Sequence, residues 1–165
     1  MRHCVRALLL CVMTAIGASA HADDAADRKA IVGTWKLVSV VYEDVATKER
    51  SPVYGEHPTG RQIATADGRW VAVVTAEGRP IPKTDAERAQ ALKTMIAYTG
   101  RYRVEGGKVI TKVDAAWNQA WVGGEQVRAI RFDGDRLYIE SPPMPHPNMN
   151  DKVVRVIVEW VRDQD

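Results

Sequence analysis

The chain has 165 residues, with 23 Lys and Arg against 21 Asp and Glu, four His and two Cys. That length suits a single domain able to bury a core without disulfides or metals. A formal charge of +2 is too small for the basic stripe of a nucleic-acid reader and excludes an acidic disordered tail, and 45% hydrophobic content fits a globular protein.

The chain opens Met1-Arg2-His3-Cys4-Val5-Arg6, runs apolar from Ala7 to Ile16, and continues Gly17-Ala18-Ser19-Ala20. A basic start, a short apolar run and an A-x-A pattern predict a secretory signal peptide over residues 1–22, cut after Ala20 or Ala22. The apolar run is shorter than the roughly 20 residues that span a bilayer, so no transmembrane segment is expected after cleavage. Leu10 before Cys11 does not suit a lipoprotein. The working domain is then 23–165, sent to the periplasm or the exterior. Losing Arg2 and Arg6 leaves 21 basic residues against 21 acidic ones, and losing Cys4 and Cys11 removes every cysteine. A neutral, cysteine-free domain has no disulfide, no thiol nucleophile and no Cys-ligated metal, and no net charge to draw it to nucleic acid.

Residues Asp23 to Lys29 read as a frayed helical lead-in. After Gly33 the period becomes two, with Trp35, Leu37, Ser39 and Val41 on one face of a strand. Further strands are expected near Ser51–Tyr54, Arg61–Thr65, Arg69–Ala76, Thr99–Glu105, Lys108–Trp117, Gln126–Phe132, Arg136–Ser141 and Lys152–Arg162. Asp67-Gly68, Gly106-Gly107 and Asp133-Gly134 suit tight hairpin turns. Thr84-Asp85-Ala86-Glu87 is a capping box, and Ala89, Leu92 and Ile96 follow at helical spacing before Gly100. The pattern predicts an all-β, antiparallel barrel or sandwich of about 8–9 strands, with one short helix between strands 4 and 5. In an up-and-down meander the long connections share one rim, the expected place for function, and tight turns seal the other.

Several stretches resemble the bacterial and fungal lipocalin-like domain family: Ile31–Ser39, Gly55-Glu-His-Pro-Thr-Gly60 leading into Ala66-Asp-Gly-Arg69, Ala97–Tyr102, Trp121–Arg128, Gly134–Leu137 and Val158–Arg162. The resemblance implies an exported bacterial member with a closed, calycin-like up-and-down barrel around an apolar cavity. It implies that Gly33 lets the chain enter the barrel, that Trp35 plugs its base and that Arg162 stacks on Trp35. Nine strictly alternating strands would set the first and last parallel, so the helix must cross the barrel or one short strand must drop out. The chain departs from the family at Thr111 and Lys112, where many members carry His, and at Asn118-Gln119-Ala120-Trp121, where many have Asn-Pro-x-Trp. His-dependent chemistry of relatives does not transfer.

The candidate ligand-binding residues are His57, Tyr102, Trp117, Trp121, Arg128, Met144 and His146. His57 and His146 each precede a Pro in a long loop. They fit ligand contact or plain loop packing, and are too few for zinc. Trp117 and Trp121 flank a rim loop and offer flat apolar area, or pack as core. Tyr98 and Tyr102 are candidate lumen phenols. Pro142–Met149 reads as a lid over the mouth or as an ordinary Pro-rich connection, with Met144 as an adaptable contact. Arg131, Arg155 and Glu159 suit ion pairing on the outer wall. Arg128 shares a face with Ile130 and Phe132 and is the better lumen cation, suited to a carboxylate or phosphate headgroup. No nucleophile elbow, phosphate loop, dinucleotide fingerprint or metalloprotease motif appears, and no catalytic residue, cofactor or metal is assigned. The reading favours a non-enzymatic barrel that binds a small apolar or amphipathic molecule. A small isomerase, cyclase or hydrolase using loop His or a lumen carboxylate is the alternative, and a protein-binding adaptor is the third.

Overall fold

The computed structural model describes residues 18–145, 149 and 151–164, with side chains from Asp24 onward. The elements in chain order are α1 (Ala18–Ile31), β1 (Gly33–Asp44), β2 (Arg50–Pro52), β3 (Thr59–Ala64), β4 (Arg69–Thr75), α2 (Asp85–Lys93), β5 (Met95–Val104), β6 (Lys108–Ala116), β7 (Glu125–Asp133), β8 (Arg136–Glu140), β9 (Met144–Pro145) and β10 (Val153–Arg162). Eight strands form a closed antiparallel ring in the order β1-β3-β4-β5-β6-β7-β8-β10, sealed by β10 pairing back onto β1. The short β2 and β9 extend two edges, on β1 and β10 respectively.

Closure settles the parity of the strands. The expected strand near Ser51 exists only as three-residue β2, outside the ring, so eight alternating strands bring the first and last together antiparallel. The helix does not cross the barrel. It spans the connection between β4 and β5, which pair directly. Its capping box is present: Thr84 Oγ1 accepts from the Glu87 N–H at 3.3 Å, and Glu87 Oε2 accepts from the Thr84 N–H at 2.9 Å. The helix ends at Lys93, and Ile96, expected at helical spacing, belongs to β5 because the Met95–Thr99 backbone is claimed by the ladders to β4 and β6.

The face assignment of β1 changes partway. A bulge between Leu37 and Ser39 leaves Val38 without a partner on β10 and shifts the alternation. Trp35 and Leu37 face inward as expected, but beyond the bulge Val40 faces in, and Ser39 and Val41 do not. Ser39 instead donates to Glu159 Oε2 on the outer wall at 3.4 Å. That wall is laced with ion pairs, including Arg50–Glu43 at 2.8 Å, Arg155–Glu140 at 3.0 Å and Arg136–Glu159. A second bulge, between Thr99 and Gly100, bends β5 against β6 so closely that a Cβ at Gly100 would lie 2.1 Å from the Lys112 carbonyl oxygen.

One end of the barrel is sealed by the chain itself. Trp35 is 1% exposed and donates its indole N–H to the Ile31 carbonyl at 2.9 Å. The Arg162 guanidinium lies 4.1 Å from the Trp35 ring centroid. It donates to the carbonyls of Ala30 at 2.6 Å and Val32 at 2.9 Å, so a cation closes the C-terminal end of α1. Gly33, at φ +134°, leaves room for this. A Cβ there would sit 2.6 Å from Arg162 Nη1. The tight turns at 65–68, 105–108 and 133–136 lie at this end, and the Gly107 N–H reaches Asp24 of α1 at 3.3 Å. All the long connections lie at the other end.

Candidate functional site

Above the sealed base lies a cavity of about 180 Å³. Its lower wall is Trp160 of β10, Gln62 of β3 and Ala72 of β4, and aliphatic side chains such as Val40, Val74, Ile139 and Val158 continue it upward. Tyr98, Trp121, Arg128, Ser141 and Met144 complete it toward the long loops. Among the described residues, no Asp or Glu lines it.

Three polar groups in this apolar space lack ordinary satisfaction. Gln62 is 0% exposed, yet neither its Oε1 nor its Nε2 has a hydrogen-bond partner among the described residues. The Trp160 indole N–H, 3% exposed overall, is also unpartnered. A buried amide left unpaired costs about 1–3 kcal/mol, so Gln62 is held against its own desolvation. The third is Arg128, half-buried. It donates to the Val127 carbonyl at 2.8 Å and to the Gln126 side-chain oxygen at 2.7 Å, and it lies 5.9 Å from the Trp121 ring centroid. Among the described residues it meets no carboxylate. Desolvation draws the Arg128 guanidinium below its ordinary value, with the Tyr98 phenol opposing. Burial pushes the Tyr98 phenol up, with the Arg128 charge opposing. Ser141, by contrast, is satisfied: its hydroxyl accepts from the Val156 N–H at 2.9 Å and donates to the Pro142 carbonyl at 3.0 Å.

The aromatic wall is continuous. Trp121 meets Tyr98 edge-on at 5.5 Å between centroids and Trp117 at 4.6 Å. Tyr98 in turn leans on Trp70, 2% exposed, at 6.4 Å. A separate cleft of about 690 Å³ is lined by Tyr42, Tyr54, Glu77 and Lys93 among others.

Four of the residues singled out from the sequence, Tyr98, Trp121, Arg128 and Met144, line the cavity. Trp117 does not, and packs behind Trp121. Tyr102 is displaced from the lumen. It lies at the base, donates its hydroxyl to the Thr65 carbonyl at 2.9 Å and meets Trp70 edge-on at 5.7 Å. His57 is exposed, and only its backbone N–H is engaged, by Glu77 Oε2 at 3.0 Å. His146 lies outside the described residues. Gln62 went unseen in the sequence because its neighbour Ile63 is the apolar residue of the pair, yet Ile63 points outward at 40% exposure. Only the β3–β1 register, with Gln62 opposite Trp35, shows which of the two faces in.

Among curated proteins no relative matches the chain. A family model described as a lipocalin-like domain matches residues 32–162, a stretch that begins beside Gly33 and ends on Arg162, the two residues that meet at the base. The chain, a closed eight-strand barrel with an apolar lumen, belongs to the lipocalin-like domain family.

Proposed function

We propose that this protein is an exported barrel that takes a small, mainly apolar molecule of about one ring into its lumen. Gln62 carries the reading. A fully buried amide with donor and acceptor both unspent, facing an apolar cavity, has its natural complement in the polar group of a guest. The size follows from the volume: a cavity of about 150 Å³ holds benzene, and this one is slightly larger. Trp121, Tyr98 and Trp160 supply flat walls for such a ring. Export rests on the basic, apolar and A-x-A pattern of residues 1–22. In support, the side chain of α1 that reaches the barrel turns, Asp24, and the carbonyls of Ala30 and Ile31 that hold Arg162 and Trp35 follow both candidate cuts.

Native mass spectrometry of the protein purified from its own host tests this, together with an Ala72→Phe variant that fills the lumen. The expected result is a small-molecule adduct on the parent protein and its loss in the variant, with the strand signature in circular dichroism kept. An adduct that survives the filled lumen, or a parent protein that accepts no ring-sized compound, would overturn the reading.

A further inference from the structure

We infer that the guest is an organic anion: a ring-sized carboxylate whose charged end meets Arg128 and whose far end carries a hydroxyl or carbonyl for Gln62. This rests on the reading of the barrel as a binding protein and goes beyond it by fixing the guest's charge and the placement of its polar groups.

The strand order supplies the geometry. In the ring β1-β3-β4-β5-β6-β7-β8-β10, β3 and β7 stand four strands apart, so they are opposite walls of an eight-strand barrel. Gln62 projects from β3 and Arg128 from β7, and both line the same cavity. Gln62 sits deep, opposite Trp35 in the β1–β3 register, whereas Arg128 reaches the Trp121 loop. A molecule that touches both must be polar at its two ends and apolar between them.

Arg128 then sets the sign of the charge. A half-buried guanidinium is ordinarily paired, because an unpaired charge in a low-dielectric site is costly. Among the described residues eleven ion pairs join charged side chains, and Arg128, like Arg162 at the base, takes part in none of them; Arg128 relies on one carbonyl and one amide oxygen of its own strand, with the Trp121 ring 5.9 Å away. Both of those oxygens are neutral, as are the carbonyls that hold Arg162, but Arg128 lines the cavity and Arg162 does not, so only Arg128 faces space for a further group. A carboxylate matches the planar donor fork of Arg better than any neutral acceptor does. The raised Tyr98 phenol stays protonated at neutral pH beside Arg128, so it does not supply the missing negative charge.

The test compares ring-sized acids with neutral isosteres: benzoate and 4-hydroxybenzoate against benzamide, benzyl alcohol and 4-cresol. Binding is read by calorimetry and by quenching of the lumen tryptophans. The acids are expected to bind at least tenfold more tightly than their neutral counterparts, with 4-hydroxybenzoate ahead of benzoate. Arg128→Gln is expected to erase the acid preference while leaving 4-cresol binding in place, and Gln62→Leu to erase the gain from the 4-hydroxyl. Neutral isosteres that bind as well as the acids, or acid affinity unchanged in Arg128→Gln, would overturn the anion and leave the binding barrel standing. Failure of every probe, acid and neutral, to bind the folded protein would overturn both.

Discussion

Two inward-facing arginines, one at the base of this barrel and one in its lumen, stand in different surroundings. At the base, Arg162 has an aromatic ring beneath it and two helix-end carbonyls before it, and Trp35 spends its only N–H on Ile31. In the lumen, Arg128 has one carbonyl and one amide oxygen of its own strand, with its nearest ring, Trp121, farther off at 5.9 Å, and Gln62 has no partner among the described residues. The same residue type, Arg on an inward-facing position, therefore occurs in two settings, one at the sealed base and one on the cavity wall. A saturated polar group stabilises the fold, and an unsaturated one is available to something else. The comparison can be attacked from either end.

The largest effect is expected from breaking the saturated site. Arg162→Ala leaves the Ala30 and Val32 carbonyls without their charged donor and uncovers the Trp35 ring. Losing charge-assisted hydrogen bonds at about 1.5–3 kcal/mol each gives an expected destabilisation of about 4 kcal/mol in urea unfolding. A loss below about 1 kcal/mol would mean that the base is closed by apolar packing and that the contrast with Arg128 is hollow. Gly33→Ala attacks the same contact more gently. The new methyl meets Arg162 Nη1 at 2.6 Å, on a backbone that L residues rarely adopt. About 2 kcal/mol is expected, carried by strain and by displacement of the guanidinium. Combining it with Arg162→Ala should be clearly less than additive, because both changes break one interaction.

Gln62→Leu should act in the other direction. Replacing an unpaired buried amide with a near-isosteric apolar side chain removes a desolvation cost, so the ligand-free protein is expected to gain about 1–2 kcal/mol in the same unfolding measurement. A stabilised variant that binds worse is the signature of a residue kept for its ligand. If Gln62→Leu instead lost stability, Gln62 would belong with Trp35 and Arg162 as part of the scaffold.

The base was legible in the sequence and the lumen only in part, for a physical reason. The roles of Gly33, Trp35 and Arg162 follow from the resemblance to the lipocalin-like family, and the period-two runs of the first and last strands add only that the two larger residues share the apolar side. The barrel follows from short strands, tight turns at one end and long connections at the other. Which side of a strand faces inward is different, because one bulge reverses it. Val38 on β1 does so, and Ser39 and Val41 exchange roles with Val40 as a result. On β3 the apolar Ile63 faces out and the polar Gln62 faces in, an inversion that only the pairing with β1 reveals. Arg128 was legible because β7 keeps a regular alternation with Ile130 and Phe132 below it. Tyr102 was misplaced because it shares a face with Tyr98 on β5, and only depth along the strand separates a lumen phenol from one that ties down a base turn.

The smallest expected effect concerns how the open end is held. Asp44, at the upper end of β1, accepts the Ala46 N–H at 2.9 Å and the Thr47 N–H at 3.1 Å, and pairs with Lys152 at 3.4 Å. These backbone donors, Thr47 foremost, hold its carboxyl below the usual range. A carboxyl whose value is lowered by folding lends stability that is fully present above its unfolded value, about pH 4. That stability is lost as pH falls through the lowered folded value. The contacts between Arg162, Trp35 and the α1 carbonyls contain no carboxyl. Hydrogen exchange, corrected for its intrinsic pH dependence, should therefore show protection at Ala46 and Thr47 falling as the pH is taken below about 4 while the paired amides of β1 beside Trp35 keep theirs. Asp44→Asn should lower protection at the two turn amides at pH 7 and flatten its change with pH. Equal loss at both ends of β1 would mean that the barrel opens as one unit in acid, and that the rim has no separate freedom to admit a guest.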